Sequence, residues 1–191
     1  MALDTTKAHA VFESTNMFST KYAARIYDCV CDEDIDNGTF GYLEKMTENI
    51  KLYKFVKGVK EGERILVADQ PAWDEDESHR FNQLRKNFFI PAGTPFRARV
   101  VVVDDKFAIT IEGISEDTKA TVEGVKNFID EPVYLTIGED GKLVASTSST
   151  EGTAMEAVIE HKRIHGRQLV TPLRQYGSTY GIYEARITVL A

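Results

Sequence analysis

The residues whose types and spacing could do chemistry fall into a few small groups. His161 and His165 have HxxxH spacing, which on a helix sets two imidazoles on one face, as a zinc site requires. Lys162 stands where a metalloprotease motif carries its glutamate. On a strand the two histidines are about 13 Å apart, too far to share an ion. Cys29 and Cys31 are the only cysteines. Their C-x-C spacing is shorter than structural zinc sites use, and there is no second cysteine pair to complete one. In extended chain they are also too far apart for an unstrained disulfide. Asp74-Glu75-Asp76-Glu77 with His79 offers carboxylates and an imidazole for acid-base work or calcium. It lacks EF-hand spacing, and successive carboxylates at a helix start point in different directions, so it reads as a solvated acidic helix start. Ser146 to Thr150 contains no G-x-S-x-G elbow. The glycine pairs Gly58/Gly62 and Gly138/Gly141 read as hairpin turns, not as phosphate cradles. We therefore assign no catalytic, cofactor-binding or metal residue and read the chain as no enzyme.

The residues singled out for binding are apolar ones in polar company. Val11, Phe12, Met17 and Phe18 are isolated in a stretch rich in Thr, Ser, Ala and Asn. Trp73, the only tryptophan, stands beside the acidic run; aromatics flanked by charge often anchor interfaces. These five are the candidate interface.

The elements that must position them are mostly strands. Residues 1–22 read as an N-terminal arm that docks on its own domain or on a neighbouring subunit. Residues 23–191 read as a β-rich domain, with two sub-lobes meeting near 115–126. Ala23 to Cys31 alternates, turns at Asn37-Gly38 and returns through Thr39 to Leu43. Leu52 to Val59 and Arg64 to Ala68 read as a second hairpin around Gly62. A short helix is expected from Asp74 or Asp76 to about Lys86, acidic at its start and basic at its end. Thr94 to Ile114 is the clearest hairpin, turning at Asp104-Asp105; its Val100 to Val103 run lacks polar alternation, which predicts cover on both faces. Ser115 to Lys126 reads as a charged, glycine-containing loop. Val133, Leu135 and Ile137 alternate before the Gly138-Glu139-Asp140-Gly141 turn, and Lys142 to Ala145 pairs back. For Gly152 to His165, Ala, Met and Glu favour helix, but the surrounding pattern favours strand, and strand is our reading. Tyr180 to Leu190 alternates to the end. Many short strands with few helices mean a mainly β fold: a small barrel or sandwich of short antiparallel strands, one short helix and an extended arm.

Composition bounds the partners. The formal net charge is -7, which argues against nucleic acid, whose phosphates need a basic face, and against anionic membranes. No 18 apolar residues run together and the start has no signal-length apolar core. Free thiols fit a reducing compartment, so synthesis in a cytoplasm is expected.

The stretch Val133-Tyr134-Leu135-Thr136, Asp140-Gly141-Lys142-Leu143-Val144, Gly152-Thr153-Ala154, Ala157-Val158-Ile159 resembles the decoration, or auxiliary capsid, proteins of tailed bacteriophages. Upstream, Asp34 to Thr39, Lys60-Glu61-Gly62-Glu63 and Asp69 to Trp73 are similar to structural proteins of phages of Gram-positive hosts. The resemblance implies a non-catalytic virion protein on the outer capsid surface. Its expected partners are the major capsid protein and further copies of itself, as a homo-oligomer or symmetric array. It implies no cofactor. The other readings open at this point are a tail-tube, head-fibre or head-completion protein, and a ligand-binding or enzymatic β-barrel.

Overall fold

A strand buried on one face alternates in polarity, whereas one buried on both does not. This chain has both kinds because it folds as a closed barrel lying against a sheet. The computed structural model describes residues 2–4, 6–21, 25–46, 52–71, 85–165 and 180–190. The chain begins with β1 (Ala2–Leu3), β2 (Phe12–Asn16) and a single-turn helix α1 (Phe18–Lys21). Five strands then close a barrel: β3 (Ile26–Val30), β4 (Phe40–Met46), β5 (Tyr53–Lys57), β6 (Leu66–Ala68) and β8 (Phe96–Val100). Their order is β3-β5-β4-β6-β8, with β8 pairing back onto β3. The β3–β5 pair is parallel. Between β6 and β8, the short β7 (Phe88–Phe89) pairs with β1.

The rest of the chain builds a six-stranded antiparallel sheet from β9 (Lys106–Thr110), β10 (Tyr134–Ile137), β11 (Leu143–Ser146), β12 (Met155–His165) and β13 (Tyr180–Leu190). The order is β11-β10-β12-β13-β9-β2, so the N-terminal β2 supplies one edge. A helix of little more than one turn, α2 (Lys119–Glu123), lies between β9 and β10.

Two cores follow from this arrangement. Cys29, Phe55, Leu66, Ala68, Phe96 and Ala98 belong to the barrel core. Phe40, Ile65, Val67 and Val101, all from the barrel half of the chain, join Phe12, Phe107, Ile109, Leu135, Ile159 and Tyr183 in the core under the sheet. β6 is therefore buried on both faces, with Leu66 and Ala68 on one side and Val67 on the other. Phe40, Phe12 and Phe107 form a ring cluster at the junction: Phe12 stacks on Phe107 with centroids 5.6 Å apart, and Phe40 meets Phe107 edge-on at 5.7 Å. The β10–β11 turn is also fastened there, since the Phe40 N–H donates to Gly141 O at 2.8 Å.

Several expectations are corrected. The Thr94–Ile114 segment is not a hairpin. β8 is already paired on both sides by β3 and β6, and β9 by β2 and β13, so neither has an edge for the other. Residues 101–105 instead cross from barrel to sheet. Val101 N–H donates to Ile65 O and Asp104 N–H to Ile187 O. Cover is not uniform over Val100 to Val103 either, since Val103 is exposed. Residues 115–118 run along β11, where Ser115 N–H donates to Leu143 O. The Asn37-Gly38 and Gly62 turns form, but β3 is separated from β4 by β5, and β5 from β6 by β4. The 115–126 segment contains α2 and is not all loop. The strand reading of Gly152 to His165, by contrast, holds over residues 155–165. Of the helix expected up to Lys86, residues 72–84 lie outside the described residues, and Arg85–Asn87 form a 3-10 turn.

Candidate functional site

The N-terminal stretch docks on its own chain. Val11 and Phe12 are buried at 2% exposure and Met17 at 0%, as interior residues; Phe18 is 43% exposed. Trp73 lies outside the described residues. What holds the stretch is a contact that local patterns do not signal, because its members are 27 residues apart. His9, buried, has Nδ1 2.6 Å from Asp36 Oδ1 and Nε2 3.4 Å from Asp4 Oδ2. The second Asp36 oxygen accepts from the Ala10 N–H. The imidazole stacks on Phe89 at 5.1 Å. The Asp4 and His9 amides donate to Asn87 O and Lys86 O.

The outer face of the sheet is a lattice of opposite charges. Glu13 on β2 binds Arg85 at 2.8 Å and also Arg163 of β12. Arg163 reaches Glu184 too, and Glu184 holds His161 at 3.0 Å. Ala108 lies in register between Glu13 and Glu184, and its small side chain leaves room for a guanidinium to span from β12 to β2. A second set joins Lys106 and Arg186 to Glu160, and Arg186 to Asp104. Burial works against ionisation of Glu13, but its bonds and proximity to Arg163 and Arg85 outweigh it and lower its pKa. The Lys106 hydrogen bond does most to lower that of Glu160. His161 is thus a member of this lattice. Among the described residues no three His, Cys, Asp or Glu are grouped to hold a metal ion. Cys29 and Cys31 are free thiols buried in the barrel; burial pushes the Cys29 thiol up to about 12.

The remaining candidate is a groove of about 630 Å³ where barrel and sheet meet. Its apolar wall includes Ile65, Val100, Val102 and Leu190, and two arginines, Arg25 and Arg64, line it. The other described arginines, Arg85, Arg97, Arg99, Arg163 and Arg186, each reach a carboxylate. Arg25 and Arg64 make no ion pair among the described residues. Arg25 sits over the Phe18 ring, 5.1 Å from its centroid. It also feels buried Asp105, whose two oxygens accept the Phe18 N–H at 2.6 Å and the Val102 N–H at 2.9 Å. Burial raises the Asp105 pKa, while those two N–H groups and Arg25 oppose it. Sequence reading found Phe18 but neither arginine, since nothing local relates residues 25, 64 and 100. No family model, curated protein or solved structure matches the chain.

Proposed function

We propose that this chain is a structural virion protein of a tailed phage that docks on the outer surface of the capsid, as one copy in a symmetric array. The reading starts from the sequence resemblance. The observation that carries it further is the groove, with Arg25 and Arg64 beside an apolar wall and the exposed Phe18 stacked against Arg25. Aromatic residues and arginines around an apolar centre are the composition that distinguishes binding surfaces from the rest of a protein's exterior. Weak copies on a repeating lattice add through multivalency. The test is co-sedimentation of the full chain with heads of the phage that encodes it. Saturable binding at a fixed ratio to capsid protein is expected. Protein left in the supernatant at every concentration overturns the reading.

A second reading, a ring-forming virion part such as a tail tube, is favoured by the β12–β13 hairpin. Its two strands run 11 residues each, and β10 pairs only with the Glu156–Val158 end of β12. Closed rings of the purified chain in sedimentation and electron microscopy, with no binding to heads, would select it.

A further inference from the structure

We infer that the groove at the barrel–sheet junction binds an extended acidic segment of a partner protein, with two carboxylates on Arg25 and Arg64 and an apolar side chain between them. The inference rests on the capsid-docking reading for who the partner is, but not for what the groove recognises. A guanidinium presents planar paired donors that match a carboxylate. Each of the other described arginines has a nitrogen within 4 Å of a carboxylate oxygen, whereas Arg25 and Arg64 have no ion-pair partner among the described residues. Phe18 fixes Arg25 from one side, and Asp105 fixes Phe18 and Val102 by their backbone amides. Arg25 is therefore held against a backbone that is itself tied down, which reduces the ordering cost of binding. Glu63 lies on the same rim but is engaged 3.9 Å from Lys60.

The wall decides the ligand class. Ile65 and Val100 are buried, and Val102 and Leu190 are half-buried. A phosphate alone would leave that wall wet, whereas a peptide strand of the pattern acid-x-apolar-x-acid places an apolar residue on it between two acids, because alternate side chains share a face. Charge supplies the selectivity. With a net charge of -7, the chain as a whole repels an acidic segment, and the two arginines supply local attraction at the groove.

The test uses the full chain and an end-capped synthetic peptide of the pattern Asp-Ser-Leu-Ser-Asp, which sets both aspartates and the leucine on one face of a strand, with its asparagine counterpart as control. Fluorescence polarisation gives affinity, and NMR amide shifts give location. The expected result is binding of the aspartate peptide that perturbs Arg25, Arg64 and Val100 to Val102. The double variant Arg25→Gln/Arg64→Gln should weaken it about tenfold or more, as loss of charged hydrogen bonds implies. Arg64→Glu, a change at an exposed position, should do most of the same damage even if the double variant folds poorly. Equal binding of the asparagine peptide, shifts elsewhere, unchanged affinity in Arg64→Glu, or displacement of the peptide by inorganic phosphate at equal concentration overturns the proposal. If wild-type chain and Arg64→Glu sediment with heads alike, the groove proposal fails and capsid docking stands. If the peptide binds the groove while the wild type ignores heads, the groove stands and capsid docking fails.

Discussion

The barrel and the sheet hide their strand edges in different ways. The barrel closes, so no backbone edge is left over. The space inside five strands is small, and it is filled by small side chains such as Cys29, Ala68 and Ala98 beside Phe55 and Phe96, which meet edge-on at 5.4 Å. The sheet stays open and covers its two edges piecemeal. On β2, Arg85 donates to Phe12 O and Thr20 to Ser14 O. On β11, Ser115 N–H donates to Leu143 O, and Thr118 Oγ1 accepts the Ala145 N–H. Uncovered edges invite pairing with other chains. The barrel is therefore stabilised largely by its own closure and steric fill. The sheet draws Phe40, Ile65, Val67 and Val101 of its core from the barrel half of the chain, and its rims are covered by side chains and by the Ser115 backbone.

That dependence can be broken most severely at Phe40, fully buried in the shared core. Phe40→Ala should cost about 3–5 kcal/mol, the usual range for removing a buried phenyl. Because Phe40 is a barrel residue packed under the sheet, chemical denaturation should show one earlier transition by both circular dichroism and NMR. Two separated transitions would mean that the lobes fold independently. Next in size is Gly141→Val. Gly141 has φ +77°, and a Cβ there would meet Phe40 O at 2.4 Å. Gly152 has the same φ but nothing within 4 Å of its Cβ position. Gly141→Val should therefore cost about 3 kcal/mol, and Gly152→Ala about 1, since it carries backbone strain alone. Equal losses would show that the turn is not fastened to the barrel.

The same junction explains what could be read from sequence. β10, β11 and β13 were legible because each alternates or turns at a glycine, and β12 because its neighbours outweighed its helix-favouring composition. Pairing was not legible. Asp104-Asp105 looks like a hairpin turn, yet the choice between turning back and crossing over depends on which strands already flank β8 and β9. Those partners lie far away in the chain, in β2 and β13, where Phe12 pairs with Ile109 and Ile182 with Thr110. The site was less legible still. Phe12 and Met17 looked like exposed anchors because a lone edge strand carries no trace of the sheet that buries it. Arg25 and Arg64 mean something only once Val100 is set between them.

At the N-terminus the comparison becomes local. His9→Ala removes a buried ring and leaves Asp36 Oδ1 without that contact, which should cost about 1–3 kcal/mol. If the stretch is an add-on to the barrel, hydrogen exchange should rise first at the Asp4 and His9 amides, which donate to Asn87 and Lys86. Faster exchange across β9 would instead make residues 2–16 part of the sheet's own stability.

The smallest effect is electrostatic, and it should belong to one lobe. Glu13 and Glu160 have pKa values lowered in the folded chain. A lowered carboxylate stabilises the fold above its unfolded pKa, about 4.3 for glutamate, and that stability is lost as pH falls through the folded value. The chain should therefore lose stability below about pH 4.3. Asp105 contributes a slope of opposite sign. Burial raises its folded pKa, so its protonation favours the fold, and the stability it adds at low pH is lost as pH rises. On the barrel, Asp32 and Glu33 pair with Lys54 and Lys57, but their side chains are 71% and 65% exposed, and such pairs contribute little. Urea midpoints measured from neutral pH to about pH 3 should fall less steeply in Glu13→Gln/Glu160→Gln than in the wild type. Asp32→Asn/Glu33→Gln should follow the wild-type curve. If the barrel pair flattens the acid limb instead, the charge lattice on the sheet is ornamental, and closure of the barrel is the more pH-sensitive of the two devices.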